Sequence, residues 1–182
     1  MTKKVVLSVT VFLVLVCAAD TSVLLARAQI IRSWSLHVVS LPFEQINARA
    51  IRVFQGVAVE VRSLEGDVQE VDFLVSDVFR GNIKNGELLT IRQYVPLSPS
   101  VDEGDEVLWY LPEDTNSEHL VSPIGLLSGA FRVIDDPNNL GKKLAVNPLN
   151  NEGLCSSECG QERGPVPLDL LVRITRASPV WK

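Results

Sequence analysis

Alternation of apolar and polar side chains is the feature that most constrains what this chain can fold into. The valines of Val57–Arg62 (VAVEVR) occupy every second position, and Val71–Ser76 (VDFLVS) repeats the pattern. A period of two is typical of a strand with one buried face. Turn residues at Leu64–Asp67 separate the two segments, so we predict a hairpin. Gly56 suits a bulge or a close approach by another backbone.

Four further strands are predicted downstream. Leu88–Tyr94 ends before two prolines, and Ala130–Ile134 is separated from Lys143–Asn147 by a turn sequence rich in Asp, Asn and Pro. Glu106–Leu111 (EVLWYL) is continuously apolar after its first residue. Such a run is typical of a strand that is buried on both faces.

Helices are expected at the two ends of this β-rich segment. Ser40–Ala50 has a capping serine, a proline tolerated in a first turn and apolar residues on one face. Pro167–Arg176 has helical spacing, although its alternation also permits a strand. The fold class predicted is therefore mainly β: a small antiparallel OB-like barrel of about five to six strands, with one short helix before it and one after it. A sandwich is the alternative.

The N-terminus has the composition of a secretory signal peptide. Lys3 and Lys4 precede an apolar stretch, Val5–Ala19, and small residues follow at a cleavage site. We predict a signal peptide over residues 1–28 and one domain over residues 29–182, with an earlier cut near Ala18 or Ala19 as the alternative.

Secretion or a periplasmic location follows from this leader. The alternative is a domain tethered to the membrane by an uncleaved N-terminal segment. Asp20 interrupts the apolar stretch before it reaches the roughly 20 residues needed to span a bilayer. We therefore expect no stable membrane span after cleavage.

Cys155 and Cys159 are the cysteines left after cleavage at Ala28, and they lie in a polar loop near residues 148–166. Close thiols usually pair in an oxidising compartment, so we predict a local disulfide. A redox pair usually has two intervening residues, whereas three separate these cysteines. Zinc would need further ligands, and neither His37 nor His119 has a recognisable spacing.

Composition and motifs exclude several classes of function. The net charge is -5, and no basic run outside the leader could follow a phosphate backbone, so nucleic acid is not expected as a partner. The serine of Gly125–Gly129 (GLLSG) lies one position too late for a nucleophile elbow. The acidic pairs Asp102-Glu103 and Asp135-Asp136 are typical of turns. We predict no catalytic residue, metal or cofactor, and hence no enzyme; a hydrolase is a distant third hypothesis.

Trp109 and Tyr110 are the candidate partner-binding residues. Adjacent residues of a strand face opposite sides of the sheet, so an exposed ring at either position would be a contact for a partner. Core packing of both rings is the alternative, because the whole run is apolar. The loops at Pro96–Val101 and His119–Ser128 are the other places where recognition is expected.

Three stretches, in order, resemble a loosely defined group of exported bacterial proteins of unassigned function. They are Leu41–Val61, a helix followed by a glycine-containing strand; Val71–Ile91, two strands around a glycine loop; and Gly104–Asp114, followed later by the glycine-led Gly129–Asp136. The strand order of the group is similar to the OB-type barrel of netrin-like modules, which tissue inhibitors of metalloproteinases use.

This resemblance implies a fold more than a function. In those inhibitors an N-terminal cysteine chelates the zinc of the protease, whereas the mature chain predicted here begins at Gln29. We therefore expect an exported, non-enzymatic binding or inhibitory module acting on an extracytoplasmic protein, with a protease suggested by fold analogy alone. The alternative is a structural domain of the envelope or extracellular space with no discrete ligand.

Overall fold

The computed structural model of this protein describes residues 40–113, 120–155 and 163–178. The predicted signal peptide lies outside these ranges. In chain order the elements are helix α1 (Phe43–Arg49), β1 (Arg52–Ser63), β2 (Val68–Arg80), β3 (Leu88–Tyr94), a 3-10 turn (Val95–Leu97), β4 (Glu106–Leu111), β5 (Ala130–Asp135), β6 (Lys143–Val146), β7 (Val166–Pro167) and helix α2 (Leu168–Ala177). Within the described ranges, no helix is both long enough and apolar enough to cross a membrane.

The strands form one antiparallel sheet with the order β3-β2-β1-β4-β5-β6-β7. The predicted mainly β class is confirmed, as are the helix before the strands and the helix after them. The sheet has seven strands, one or two more than expected, and it is not closed, because β3 and β7 lie at its two edges. The last strand, β7, has only two residues, and Pro167 within it has no N–H to donate to a further ladder.

The pairing of β1 with β2 changes register at three places. Gly56 lies at one of them, where a side chain would place its Cβ atom 2.8 Å from the carbonyl oxygen of Leu74 in β2. The predicted role of Gly56 at a close backbone approach is therefore confirmed.

Buried side chains form two clusters, and β4 contributes to both. Leu108 and Tyr110 belong to one, whereas Val107, Trp109 and Leu111 belong to the other. The first, the helix-side cluster, includes Phe43, Ile46, Val53, Phe131, Val133 and Leu171. The second, the strand-side cluster, includes Phe54, Val71, Phe73, Val75, Ile91 and Val101. The predicted burial of β4 on both faces is confirmed.

Arg80, the last residue of β2, is a buried cation that joins the two helices. It is 8% exposed. Its Nη1 donates to the carbonyl oxygens of Asn47 at 2.5 Å and Ala50 at 2.9 Å, and its Nη2 donates to Asn47 Oδ1 at 3.1 Å and to the Thr175 carbonyl at 3.4 Å. Carbonyl groups at helix C-terminal ends lack intrahelical partners, and a cation is favourable there. Burial nevertheless lowers the pKa of Arg80.

Ion pairs cross β1, β2 and β3 on the face of the sheet opposite the strand-side cluster. Arg62 contacts Glu60 at 2.6 Å, Glu70 at 2.8 Å and Asp72 at 2.8 Å. Arg92 contacts the other oxygen of Glu70 at 2.6 Å. Directly opposed, oppositely charged side chains stabilise neighbouring strands, so this row of ion pairs supports the pairing of β1, β2 and β3.

Hydrogen bonds and neighbouring cations shift the titration of two of these carboxyl groups. The Thr90 hydroxyl, which donates to Asp72 at 2.6 Å, and Arg62 hold the pKa of Asp72 below its ordinary value. Arg92 and Arg62 similarly lower the pKa of Glu70. Both groups therefore favour the folded state when ionised.

Acid should destabilise the protein partly through this row of charges. A carboxyl pKa lowered by folding contributes stability that is complete above the unfolded-state value, near 4, and is lost as the pH falls through the folded-state value. Arg62→Gln removes a partner of both carboxylates. We therefore expect its free energy of unfolding, measured by urea denaturation from about pH 6 to about pH 2, to fall less steeply than that of the wild type. Arg173→Gln, at an exposed position of α2, is the control and should keep the wild-type slope.

Candidate functional site

A groove of about 620 Å³ lies beside α2 and is the candidate site. One part of its lining comes from α2, through Asp169, Val172 and Arg176, and another from the β5–β6 hairpin between Asp136 and Leu144. Positions three and four apart share one side of a helix, so the three α2 residues form a continuous stripe. We call this site the helix–hairpin groove.

The remaining lining comes from β1 and β2, through Gln55, Asp77 and Phe79, and from Pro167 of β7. Phe79, Leu144 and Val172 are each half-buried and give the groove apolar surface. The guanidinium carbon of Arg176 lies 5.1 Å from the centre of the Phe79 ring, which is within the range of a cation–π contact. Apolar and charged side chains from five separate elements therefore line the groove.

Some charges of the groove have partners within the protein and others do not. Lys143 pairs with Glu106. Asp136 accepts hydrogen bonds from the Asn139 side chain at 2.7 Å and the Asn138 amide at 2.8 Å, and these bonds lower its pKa. For Lys142, Asp77 and Asp169, no side-chain ion pair exists among residues 40–113, 120–155 and 163–178. Charged groups of both signs are thus available to a ligand.

Leu140, at the tip of the β5–β6 hairpin, is wholly exposed, with a relative accessibility of 106%. Its neighbours Asn139 and Gly141 both line the groove, so this leucine stands at the rim. The tip is held by backbone bonds from Asp136 N to Lys142 O at 2.9 Å and from Lys142 N to Asn139 O at 3.0 Å. The hairpin therefore presents a large apolar side chain to solvent on an ordered turn.

Trp109 and Tyr110, the predicted candidates for partner binding, are both in the core. Trp109 is 1% exposed and its ring centre lies 4.8 Å from that of Phe73. Tyr110 is fully buried, its ring lies 5.5 Å from that of Phe43, and its hydroxyl is 2.7 Å from Thr175 Oγ1. Both faces of β4 are covered, so neither ring is available to a partner. The two rings pack in the core, as the alternative prediction stated.

The two predicted recognition loops border smaller clefts. Pro99, Ser100 and Val101 line one of about 280 Å³ next to β5. Residues 120–126 line another with Pro112 and Glu113, while His119, the predicted start of that loop, lies outside the described residues.

The structure describes only one of the two cysteines of the predicted disulfide. Cys155 is a buried member of the helix-side cluster, and Cys159 lies outside the described residues, so the pairing stays a prediction. In the ranges that the structure describes, no three His, Cys, Asp or Glu side chains are arranged to hold a metal ion.

Sequence reasoning missed the groove and its leucine. The one local signal was Leu140 itself, a single large apolar residue in the otherwise polar turn DDPNNLGKK. Single exposed leucines are common on protein surfaces, so Leu140 becomes a candidate contact residue only through its place beside the groove. The groove has no comparable signal, because its lining is brought together from distant parts of the chain.

No protein-family model matches the chain, and no curated protein sequence matches it.

Proposed function

We propose that this chain is an exported, non-enzymatic binding or inhibitory module that binds an extracytoplasmic protein through the helix–hairpin groove. The observation that carries this function is the wholly exposed Leu140 at the rim of a groove with apolar and unpaired charged side chains. Export rests on the leader over residues 1–28 and on the resemblance to a group of exported bacterial proteins.

Energetics favour a protein partner for this surface. Burying one leucine side chain is worth about 1.5–3 kcal/mol, and none of that free energy is realised while Leu140 stays in water. The ordered hairpin loses little conformational entropy on binding, because its backbone bonds already fix the tip. Apolar surface surrounded by charged groups is also the usual composition of a protein contact, with apolar residues at its centre and polar residues at its rim.

Inhibition of a protease is supported only by the likeness to netrin-like inhibitors. Their zinc-chelating cysteine has no counterpart at Gln29, so an inhibitory role requires other residues. Leu140 and the groove supply a contact surface formed by residues between Gln55 and Arg176. The partner is therefore proposed as an exported protein, without a commitment to its activity.

Affinity capture with matched variants tests this function. The mature domain, residues 29–182, is immobilised and exposed to the exported fraction of its native cells, and bound proteins are identified by mass spectrometry. We expect one stoichiometric partner with the wild type and its loss with Val172→Glu, which places a charge in the groove. Val59→Glu, at an exposed position of β1, is the control and should retain the partner.

Circular dichroism must first show that all three proteins are folded. Recovery of no partner by the folded wild type would overturn the binding function and favour the structural alternative. Equal recovery by the wild type and Val172→Glu would place the contact elsewhere on the molecule.

A further inference from the structure

We propose that two copies of this protein form a symmetric dimer in which Leu140 of each copy inserts into the helix–hairpin groove of the other. This inference rests on the proposed function in one respect, namely that the groove is a docking surface. It adds a specific occupant and a consequence, because a dimer of this kind covers the surface that an exported partner would need.

The position of Leu140 favours a closed pair of molecules over a chain of them. Asn139 and Gly141 line the groove, so the inserting residue and the receiving surface belong to one continuous patch. When both halves of a contact lie side by side, a two-fold axis between them satisfies both copies at once. Widely separated halves would instead give a head-to-tail contact that can propagate.

Apolar surface in the groove matches the side chain that would enter it. Phe79, Leu144 and Val172 are half-buried within each copy, and Leu140 is wholly exposed. Insertion removes all of these from water in both copies. The free energy gained by burying this apolar surface is counted twice in a two-fold dimer, because each copy contributes one leucine and one groove.

The patch formed by the leucine and the groove carries unpaired charges of both signs. Lys142 follows Leu140 by two residues, is exposed and lines the groove together with Asp77 and Asp169. None of the three has an ion pair within the described part of the chain. In the dimer, Lys142 of one copy approaches these carboxylates of the other. Complementary charges of this kind fix orientation and exclude other arrangements.

Self-association through the groove would regulate binding by mass action. At high concentration the dimer covers the groove, and dilution after export frees it for a partner. A partner that binds the groove should in turn shift the protein toward monomer.

Sedimentation equilibrium of residues 29–182, from about 1 µM to about 500 µM, tests the dimer across the range in which a weak contact dissociates. We expect a monomer–dimer equilibrium for the wild type. Leu140→Ser should raise its dissociation constant at least about tenfold, because two buried leucines are lost per dimer. The matched control is Leu88→Ser, an exposed leucine of edge strand β3, which should leave the constant unchanged.

Charge reversal tests the orientation of the dimer without relying on the leucine. Lys142→Glu should weaken it, because two glutamates would then face the aspartates of the groove. The triple variant Lys142→Glu, Asp77→Lys and Asp169→Lys should dimerise again. Both copies then present reversed charges at both halves of the two-fold contact, so opposite charges still face each other.

Several outcomes would overturn the dimer. They are a wild type that is monomeric at every concentration, a dimer that survives Leu140→Ser, and a triple variant that fails to recover although it is folded. A monomeric wild type that still captures an exported protein through the groove would leave the proposed function standing and refute the second copy as occupant. A leucine-dependent dimer with no captured partner would support this inference and refute the proposed function.

Discussion

Replacing Arg80 with methionine should lower the free energy of unfolding by about 2–4 kcal/mol, because each buried acceptor left without a donor costs about 1–3 kcal/mol. The guanidinium group donates to the carbonyl oxygens of Asn47, Ala50 and Thr175, which all belong to buried residues. Methionine fills much of the same space but donates no hydrogen bond, so these acceptors lose their partner. Urea denaturation followed by circular dichroism measures the loss.

Two further substitutions at arginine positions separate hydrogen bonding from charge. Arg80→Lys keeps the charge but loses the fork of donors, so its stability should lie between those of the wild type and Arg80→Met. Arg49→Met, at an exposed position in the last turn of α1, should change the free energy of unfolding by less than about 0.5 kcal/mol. A loss of under about 1 kcal/mol for Arg80→Met would show that the two helices are held by other contacts.

Trp109→Ala should have an effect of similar size, a loss of about 3–5 kcal/mol in the free energy of unfolding, as is typical of a large aromatic removed from a core. The ring is 1% exposed and packs against Phe73, so its removal leaves a cavity in the strand-side cluster. Trp109→Phe should cost less, because part of the volume is kept. Urea denaturation followed by far-ultraviolet circular dichroism gives both values without relying on tryptophan fluorescence.

The same variants discriminate between the two roles considered for Trp109. A core residue loses stability on truncation, whereas a contact residue loses partner binding and keeps its stability. If Trp109→Ala unfolded with the free energy of the wild type but no longer captured a partner, the burial described for this ring would be contradicted.

Much of the fold was accessible from local sequence patterns. The alternation of Val71–Ser76 identified a buried face of the sheet, the continuous run at Glu106–Leu111 identified a strand buried on both sides, and Gly56 marked a close backbone approach. The alternation of Val57–Arg62 was misleading, because the register shift next to Ala58 buries that alanine and leaves Val59 exposed. Each of these features depends on a few neighbouring residues. The two helices were recognisable for the same reason, since their spacing is local.

Local sequence patterns could not predict whether the sheet closes into a barrel. Alternation shows which side chains share a face, but it does not show which strands pair at the edges. The two-residue strand β7, which pairs with β6 through Leu144 and Pro167, has no periodicity to detect. An OB-like barrel was therefore expected where the structure has an open sheet.

The site was harder to predict than the fold, because its residues are distant in sequence. Gln55, Lys142 and Asp169 meet at one groove, although more than a hundred positions separate the first from the last. Arg80 is a similar case. Its position before a glycine at a strand end suggests an exposed turn residue, and only the packing of α1 and α2 around it explains its burial.

Because β4 contributes residues to both buried clusters, it links the unfolding of the two sides of this domain. Leu108 and Tyr110 anchor one side and Trp109 the other, on the same six-residue strand. Neither side can lose its packing without releasing the backbone that carries the other. The two clusters should therefore unfold together, and amide protons of β4 should exchange with solvent only when the whole sheet unfolds.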